Sequence, residues 1–245
     1  MVLKPPSDSI TEAAYRRIRS DLLSCRLRPG EKLRISKLQA DLGISLCAVR
    51  EALARLTSEG FVLAEPQKGF RAAPVSVADL NDLTTARVEI ECLCLRHSLA
   101  DYGVESETRL VAANHRLKRI PLRLPGNPHQ YNHEWDLAHD EFHSALVASC
   151  RNRTLLLVRE QLFAKSARYR WLSVSMTSDE RDLDAEHKAI TDAALDRDAD
   201  TATALLTIHI KETSRRVTES MDSAASSSGS RSMHADRTIG RLRAG

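Results

Sequence analysis

From Val75 to about Asp222 the chain repeats an apolar stripe every three or four residues, broken only by short polar or Gly/Pro-containing stretches. That period suits amphipathic helices and excludes half-buried strands, whose side chains alternate every second residue. Six helices are predicted, over 77–101, 105–120, 129–149, 152–174, 179–196 and 199–221, with breaks at Gly103, the IPLRLPGNP stretch, Arg151–Asn152, the TSD cluster and Asp196–Asp200. Connections this short make successive helices antiparallel, so the segment 77–222 is expected to be an all-α antiparallel bundle. Composition agrees. Hydrophobic residues make up 42% and aromatics only 4%, so the core must be built from Leu, Ala, Val and Ile. The Ser-rich tail 223–245 shows no periodicity and is expected to be disordered.

The front segment, 8–74, reads differently: three short helices, then two short extended runs around a glycine. Within it, RISKLQADLGISLCAVREALARLTSEG (34–60) places a short helix, a Gly43-Ile44-Ser45 reversal and a longer helix in succession. Gly43 tolerates the positive φ that such a reversal demands. Ile35, Leu38, Leu42, Val49, Leu53 and Leu56 can share one apolar core. Phe61–Leu63 and Phe70–Ala72 read as strands, with Pro66-Gln67-Lys68-Gly69 between them as the tip of a basic wing. A winged helix-turn-helix places the amino end of its second helix in the major groove. Arg34, Ser36, Ser45, Leu46, Cys47, Arg50, Lys68 and Gly69 are therefore the candidate DNA contacts, Arg50 first because its planar fork suits guanine or a phosphate pair. The bland alternative is an αα-hairpin with a β-turn that binds nothing.

Charge is divided unevenly along the chain. Residues 1–76 carry 13 Lys/Arg against 8 Asp/Glu, while residues 77–222 carry 19 against 24. A basic front on an acidic body fits a polyanion partner at one end, though ordinary solvated surfaces carry similar imbalances. The five cysteines form no CxxC pair, which suits a reducing cytoplasm. No apolar run approaches the ~20 residues of a membrane span, and the opening MVLKPPSDSI holds no apolar signal core, so no membrane partner is expected.

In the second segment the histidines stand out. His139 and His143 are four apart and share a helix face. His187 and His209 lie eleven residues on either side of a turn near Asp198, at equal height in an antiparallel hairpin. The four imidazoles can converge on one divalent ion, zinc or nickel by ligand type. Buried histidines bonded to backbone are the alternative, and His129/His133 is a second i, i+4 pair. Arg87 shares the apolar stripe of Leu83 and Ile90, where a guanidinium needs an anion: either a bound ligand or Glu91, one turn on.

The string RPGEKLRISKLQADLGIS…VREALARLTSEGFV resembles the DNA-binding domain of the GntR family. The resemblance implies that Arg50 is the recognition-helix arginine and Gly69 the wing tip. Many members have an Arg-Thr-Pro run where this chain has Leu46-Cys47-Ala48, so no operator sequence follows. DLTTARVEIE, HDEFHSALVASCRN, AEHKAI and ALLTIHI resemble the FCD effector-binding domain of the FadR subfamily. That resemblance implies a metal held by His143, His187 and His209, with His139 where an Asp usually stands. It also implies a carboxylate effector near Arg87, Asn152, Arg168 and Arg170, only one of the last two facing the cavity. The wider string EWDLAHDEFHSALVASC…LLLVREQLFAKSARYRWL resembles the CsiR-type repressors of glutarate utilisation. The expected function is a homodimeric repressor of double-stranded DNA, released by a small dicarboxylate. Rival readings are a regulator answering to metal or to thiol oxidation at Cys47 and, more remotely, a metal-dependent hydrolase. The last lacks an HExxH pattern, and Glu141 and Glu186 are expected to point away from the ligand face.

Overall fold

The computed structural model describes residues 10–176 and 181–241. The first two residues of the expected front domain, and the expected start of the fifth helix at 179, lie outside them.

The head is built from α1 (Ile10–Leu23), β1 (Lys32–Leu33), α2 (Ile35–Leu42), α3 (Leu46–Ser58), β2 (Val62–Glu65) and β3 (Gly69–Ala72). The strands form one antiparallel sheet in the order β1-β3-β2, with Val62 opposite Ala72 and Leu33 opposite Phe70. The two-residue β1 was not expected, being too short to show a period. Gly43 ends α2 at φ 66°, its N–H bonded to the Gln39 carbonyl. Ser45 begins α3, its hydroxyl accepting from the Ala48 N–H at 3.2 Å. Ile18, Leu22, Val49, Leu53 and Leu56 are fully buried between α1 and α3, and Ile35 and Leu42 pack on their edge.

The second domain holds α4 (Val77–Ala100), α5 (Val104–Arg119), β4 (Arg123–Leu124), β5 (Asn127–Tyr131), α6 (His133–Leu146), α7 (Arg153–Met176), α8 (Leu183–Leu195) and α9 (Ala199–Arg241). Six helices stand where six were expected. The hairpin β4–β5 takes the place of a loop and of the first residues of the predicted helix 129–149. Pro128 fixes its own φ and disfavours helix at Asn127, and Gly126 turns at φ 84°. His129 is thereby on a strand and His133 on a helix, so they are no i, i+4 pair. The tail expected to lack structure continues α9 as far as Arg241.

Helix α7 joins the domains. The Arg168 guanidinium donates to the carbonyl of Ala73 in the linker, and the Tyr169 hydroxyl donates to Asp79 Oδ2 at 2.5 Å and lies 3.3 Å from the Ser76 carbonyl. Ala164 packs on the head core, and a Cβ on Gly60 would lie 3.4 Å from Lys165 Nζ.

Leu53 is 0% exposed at the centre of the head. Leu53→Ala should cost about 2–5 kcal/mol in urea denaturation. A loss below about 1 kcal/mol would show that the head core is looser than this packing.

Candidate functional site

His139 and His143 project from one face of α6, His187 from α8 and His209 from α9, and all four are buried. Their candidate ligand atoms lie within 4.8 Å of one another. The equal-height argument holds for the α8–α9 hairpin, where the His187 and His209 rings are 4.8 Å apart. His139 Nε2 and His143 Nε2 are 3.1 Å apart. Burial, reinforced by the neighbouring imidazoles, pushes His139, His143 and His187 well below the ordinary histidine pKa. Burial lowers His209 too, partly offset by its bond to Glu186. Neutral imidazole is the form that ligates metal.

Glu186 does not point away as expected. Its Oε2 lies 2.8 Å from His209 Nδ1, and Arg181 Nη2 holds the same oxygen at 2.5 Å. Burial opposes its ionisation, but the His209 bond and Arg181 outweigh it and hold the carboxyl at about 2. A carboxylate that accepts the Nδ1–H hydrogen bond keeps the proton on Nδ1 and leaves His209 Nε2 to ligate. Glu141 does turn outward, to Arg116 at 2.7 Å.

Beside the histidines lies a second buried group. Arg87 donates twice to Glu91 Oε1, at 2.9 and 2.6 Å, so the internal acid is its partner. Glu91 is 1% exposed. Burial would raise its pKa, but the Arg87 and Arg159 guanidiniums hold it below the ordinary value. Arg159 Nε is 3.6 Å from Glu91 Oε2, and Arg170 Nη2 is 3.1 Å from Asp136 Oδ1. All three guanidiniums gather around the Phe163 ring at 4.7–5.2 Å.

Two expected effector residues stand elsewhere. Two positions along a helix turn a side chain to nearly the opposite face, so Arg168 clamps the linker while Arg170 faces inward. Asn152 is exposed and caps α7 through the Leu155 N–H at 3.1 Å. Arg159 and Phe163 were missed. With Ser166 and Arg170 they form a single stripe on α7, at the helical spacing that singled out Arg87.

A cleft of about 840 Å³ opens between α1 of the head and α6–α7 of the second domain. Arg159, Phe163, Arg170 and Trp171 lie on its second-domain side, Tyr15, Arg16 and Arg19 on the head side.

On the head, Arg34, Ser36, Leu46, Cys47, Arg50, Lys68 and Gly69 are all exposed. Ser45 is exposed as well, its hydroxyl spent on the cap of α3. Arg34, Arg50 and Lys68 make no ion pair among the described residues, and neither does Lys37, which sequence reasoning missed beside Ser36 on α2. Arg17, Arg26 and Arg71 are by contrast each paired with an acid. The wing tip turns at Gln67 (φ 61°) and Gly69 (φ 92°). Unpaired cations on a protruding helix and wing are the footprint of a phosphate-binding surface.

Residues 10–71 match the bacterial regulatory proteins of the gntR family, and residues 82–212 match the FCD domain. The chain belongs to the GntR family. It is 36% identical to the HTH-type transcriptional repressor GlaR of Escherichia coli (strain K12), across 80% of this chain and 90% of that one. It is 34% identical to the HTH-type transcriptional regulator BphR of Paraburkholderia xenovorans (strain LB400), across 83% of each. The solved structure of E. coli McbR/YncC shares the fold, with a TM-score of 0.71 at 18% identity over 86% of this chain and 98% of that one. Like these GntR relatives it is a DNA-binding transcriptional regulator and not an enzyme. Among the described residues no helix is long and apolar enough to cross a membrane.

In this GntR head Arg50→Ala should weaken operator binding by about 1–3 kcal/mol and flatten the salt dependence by roughly 0.9 in the log–log slope. Arg17→Ala, which removes a cation paired on α1, should leave both unchanged. Fluorescence anisotropy across a salt series measures both quantities; equal losses in the two variants would remove Arg50 from the contact surface.

Proposed function

We propose that this regulator is a homodimeric repressor released from its operator by a small dicarboxylic acid bound at the buried histidine–arginine centre. One observation carries the reading: α7 alone bears Arg159, Phe163 and Arg170 beside the cation cluster, Arg168 and Tyr169 on the linker, and Ala164 against the head core. An acid that draws the guanidiniums toward itself shifts the helix that positions the DNA head. Release requires tighter binding to the shifted arrangement than to the operator-bound one. Two heads related by a two-fold axis read a pseudo-palindromic site, so a changed head spacing is enough to lose the second half-site.

The residues also fit a divalent metal. His139 Nδ1, His143 Nδ1 and His187 Nε2 are buried ring nitrogens with no hydrogen-bond partner, a costly state for polar atoms unless something completes them. Four imidazoles suit zinc or nickel better than a hard, oxygen-seeking cation. A bound ion would supply a Lewis-acidic centre for one carboxylate oxygen of the effector. Arg87 and Arg170 would then orient the acid's other end, Glu186 would keep the His209 proton on Nδ1, and Phe163 would limit access of water. The resemblance of the sequence to CsiR-type repressors of glutarate utilisation makes glutarate the first acid to try.

A gel shift on DNA upstream of the protein's own gene tests this, with succinate, glutarate or adipate added. One of these acids should release the complex at a concentration that its diamide does not match; no release by any of them overturns the proposal. For the metal, Glu186→Gln should lower nickel or zinc affinity roughly 10–100-fold in competition with a chromophoric chelator. Unchanged affinity would separate Glu186 from the ion.

A further inference from the structure

None of the four histidines lines the interdomain cleft. Phe163, 5% exposed, stands between the two. It lines the cleft, and its ring lies 5.3 Å from that of His143 and 6.0 Å from that of His139. Beside it on the cleft floor is Arg159, also 5% exposed, whose Nε and Nη2 have no hydrogen-bond partner. The nearest carboxylate oxygen, Glu91 Oε2, lies 3.6 Å from Arg159 Nε, within ion-pair range but beyond a hydrogen bond, while Arg87 bonds the other oxygen. A guanidinium so buried, with donors unmet, is costly until an anion completes it.

We propose that the interdomain cleft is a second ligand site, for a monocarboxylic acid with a bulky apolar body, independent of the histidine centre. Arg159 receives the carboxylate. The body lies between the Phe163–Trp171 wall and α1 of the head. Size supports a large occupant: at about 30 Å³ per water, 840 Å³ holds roughly 28 waters, and a five-carbon diacid of about nine heavy atoms would leave most of it wet. It falls within the roughly 300–1,000 Å³ range of sites for drug-sized ligands.

The walls set the chemistry. Leu23, Val147 and Leu156 line the cleft, and Leu137 presents a side chain 54% exposed to it. Of the other cations there, Arg170 bonds Asp136 at 3.1 Å, and Arg19 and Arg16 each lie 3.7 Å from an acid, Glu59 and Glu12. Arg159 differs from them in leaving two buried nitrogens without a hydrogen bond. Asp140 and Glu160 also line the cleft and would repel a second carboxylate. One anionic end and an apolar remainder is what these groups accept. Because α1 forms the opposite wall, such a ligand touches the DNA head directly.

The two tryptophans make the test selective, because Trp171 lines the cleft while Trp135 stacks on His139 at 4.6 Å. The probe is 4-phenylbutyrate, with its amide and plain butyrate as controls, added to full-length Trp135→Phe protein. Trp171 emission should change saturably with 4-phenylbutyrate, far less with either control, and equally after treatment with a chelator. Arg159→Gln should weaken binding about tenfold or more, the loss of a charge-assisted pair, and Arg159→Lys should recover part of it. Leu137→Glu, at an exposed position, should also weaken it, so the outcome does not rest on the fold of an Arg159 variant. In Trp171→Phe protein the Trp135 emission should hold steady. The proposal is overturned by no saturable change, by binding that survives both Arg159→Gln and Leu137→Glu, or by a response that moves to Trp135 or needs metal. Each of these leaves operator release by dicarboxylates, read by gel shift, unaffected.

Discussion

The carboxylate of Glu91 is the anion around which the buried cations of the second domain are arranged. Arg87, Arg159 and Arg170 are all less than a tenth exposed, and they crowd one phenylalanine ring. Such charges survive burial only in company, because desolvation outweighs any single attraction in a low dielectric. Glu91 bonds Arg87 outright, lies within ion-pair range of Arg159, and sits 3.8 Å from His143 Nδ1. Asp136 performs the same service for Arg170, with Tyr131 also donating to it at 2.9 Å. Two acids against three guanidiniums leaves a positive remainder in the centre of the bundle. That remainder favours neutral imidazoles next door and an anion from outside.

The same cluster explains why α7 is central to the regulator. Its inward stripe carries the cation site and its other side carries the clamp on the linker. Arg168 and Arg170, two residues apart, belong to different functions because a helix turns them apart. Cys25, just past the end of α1, lies 3.6 Å from the Arg168 carbonyl, so the head, the linker and the second domain meet at one short stretch of α7. Phe163 and the linker contacts at Arg168 and Tyr169 lie within about two turns of one continuous helix, so the proposed release calls for no longer pathway. The head meanwhile keeps its DNA-facing cations out of internal ion pairs, so moving it costs none of the salt bridges that hold α1 to α3.

Much of this architecture was legible beforehand. The 3.6-residue period of the second segment yielded its six helices, and Gly43, Ser45 and the Lys68-Gly69 tip located the reading head. The convergence of four histidines followed from two local facts: an i, i+4 pair on one helix and a pair equidistant from a hairpin turn. The hairpin β4–β5 was not legible, because a two-residue strand and a proline-containing partner carry no alternation. Helix α9 continues to Arg241, past the point near Asp222 where its apolar stripe ends.

Sequence by itself determined what repeats locally: helix faces, turn glycines, caps and the residue types able to ligate or to read DNA. Those depend on neighbours within about four residues, which one chain displays directly. Tertiary structure alone decided which of several buried arginines share an acid, that Glu186 reaches the next helix, and that α1 closes one side of a cleft over Arg159. These are contacts between segments far apart in the chain, and no local period encodes the packing that brings them together.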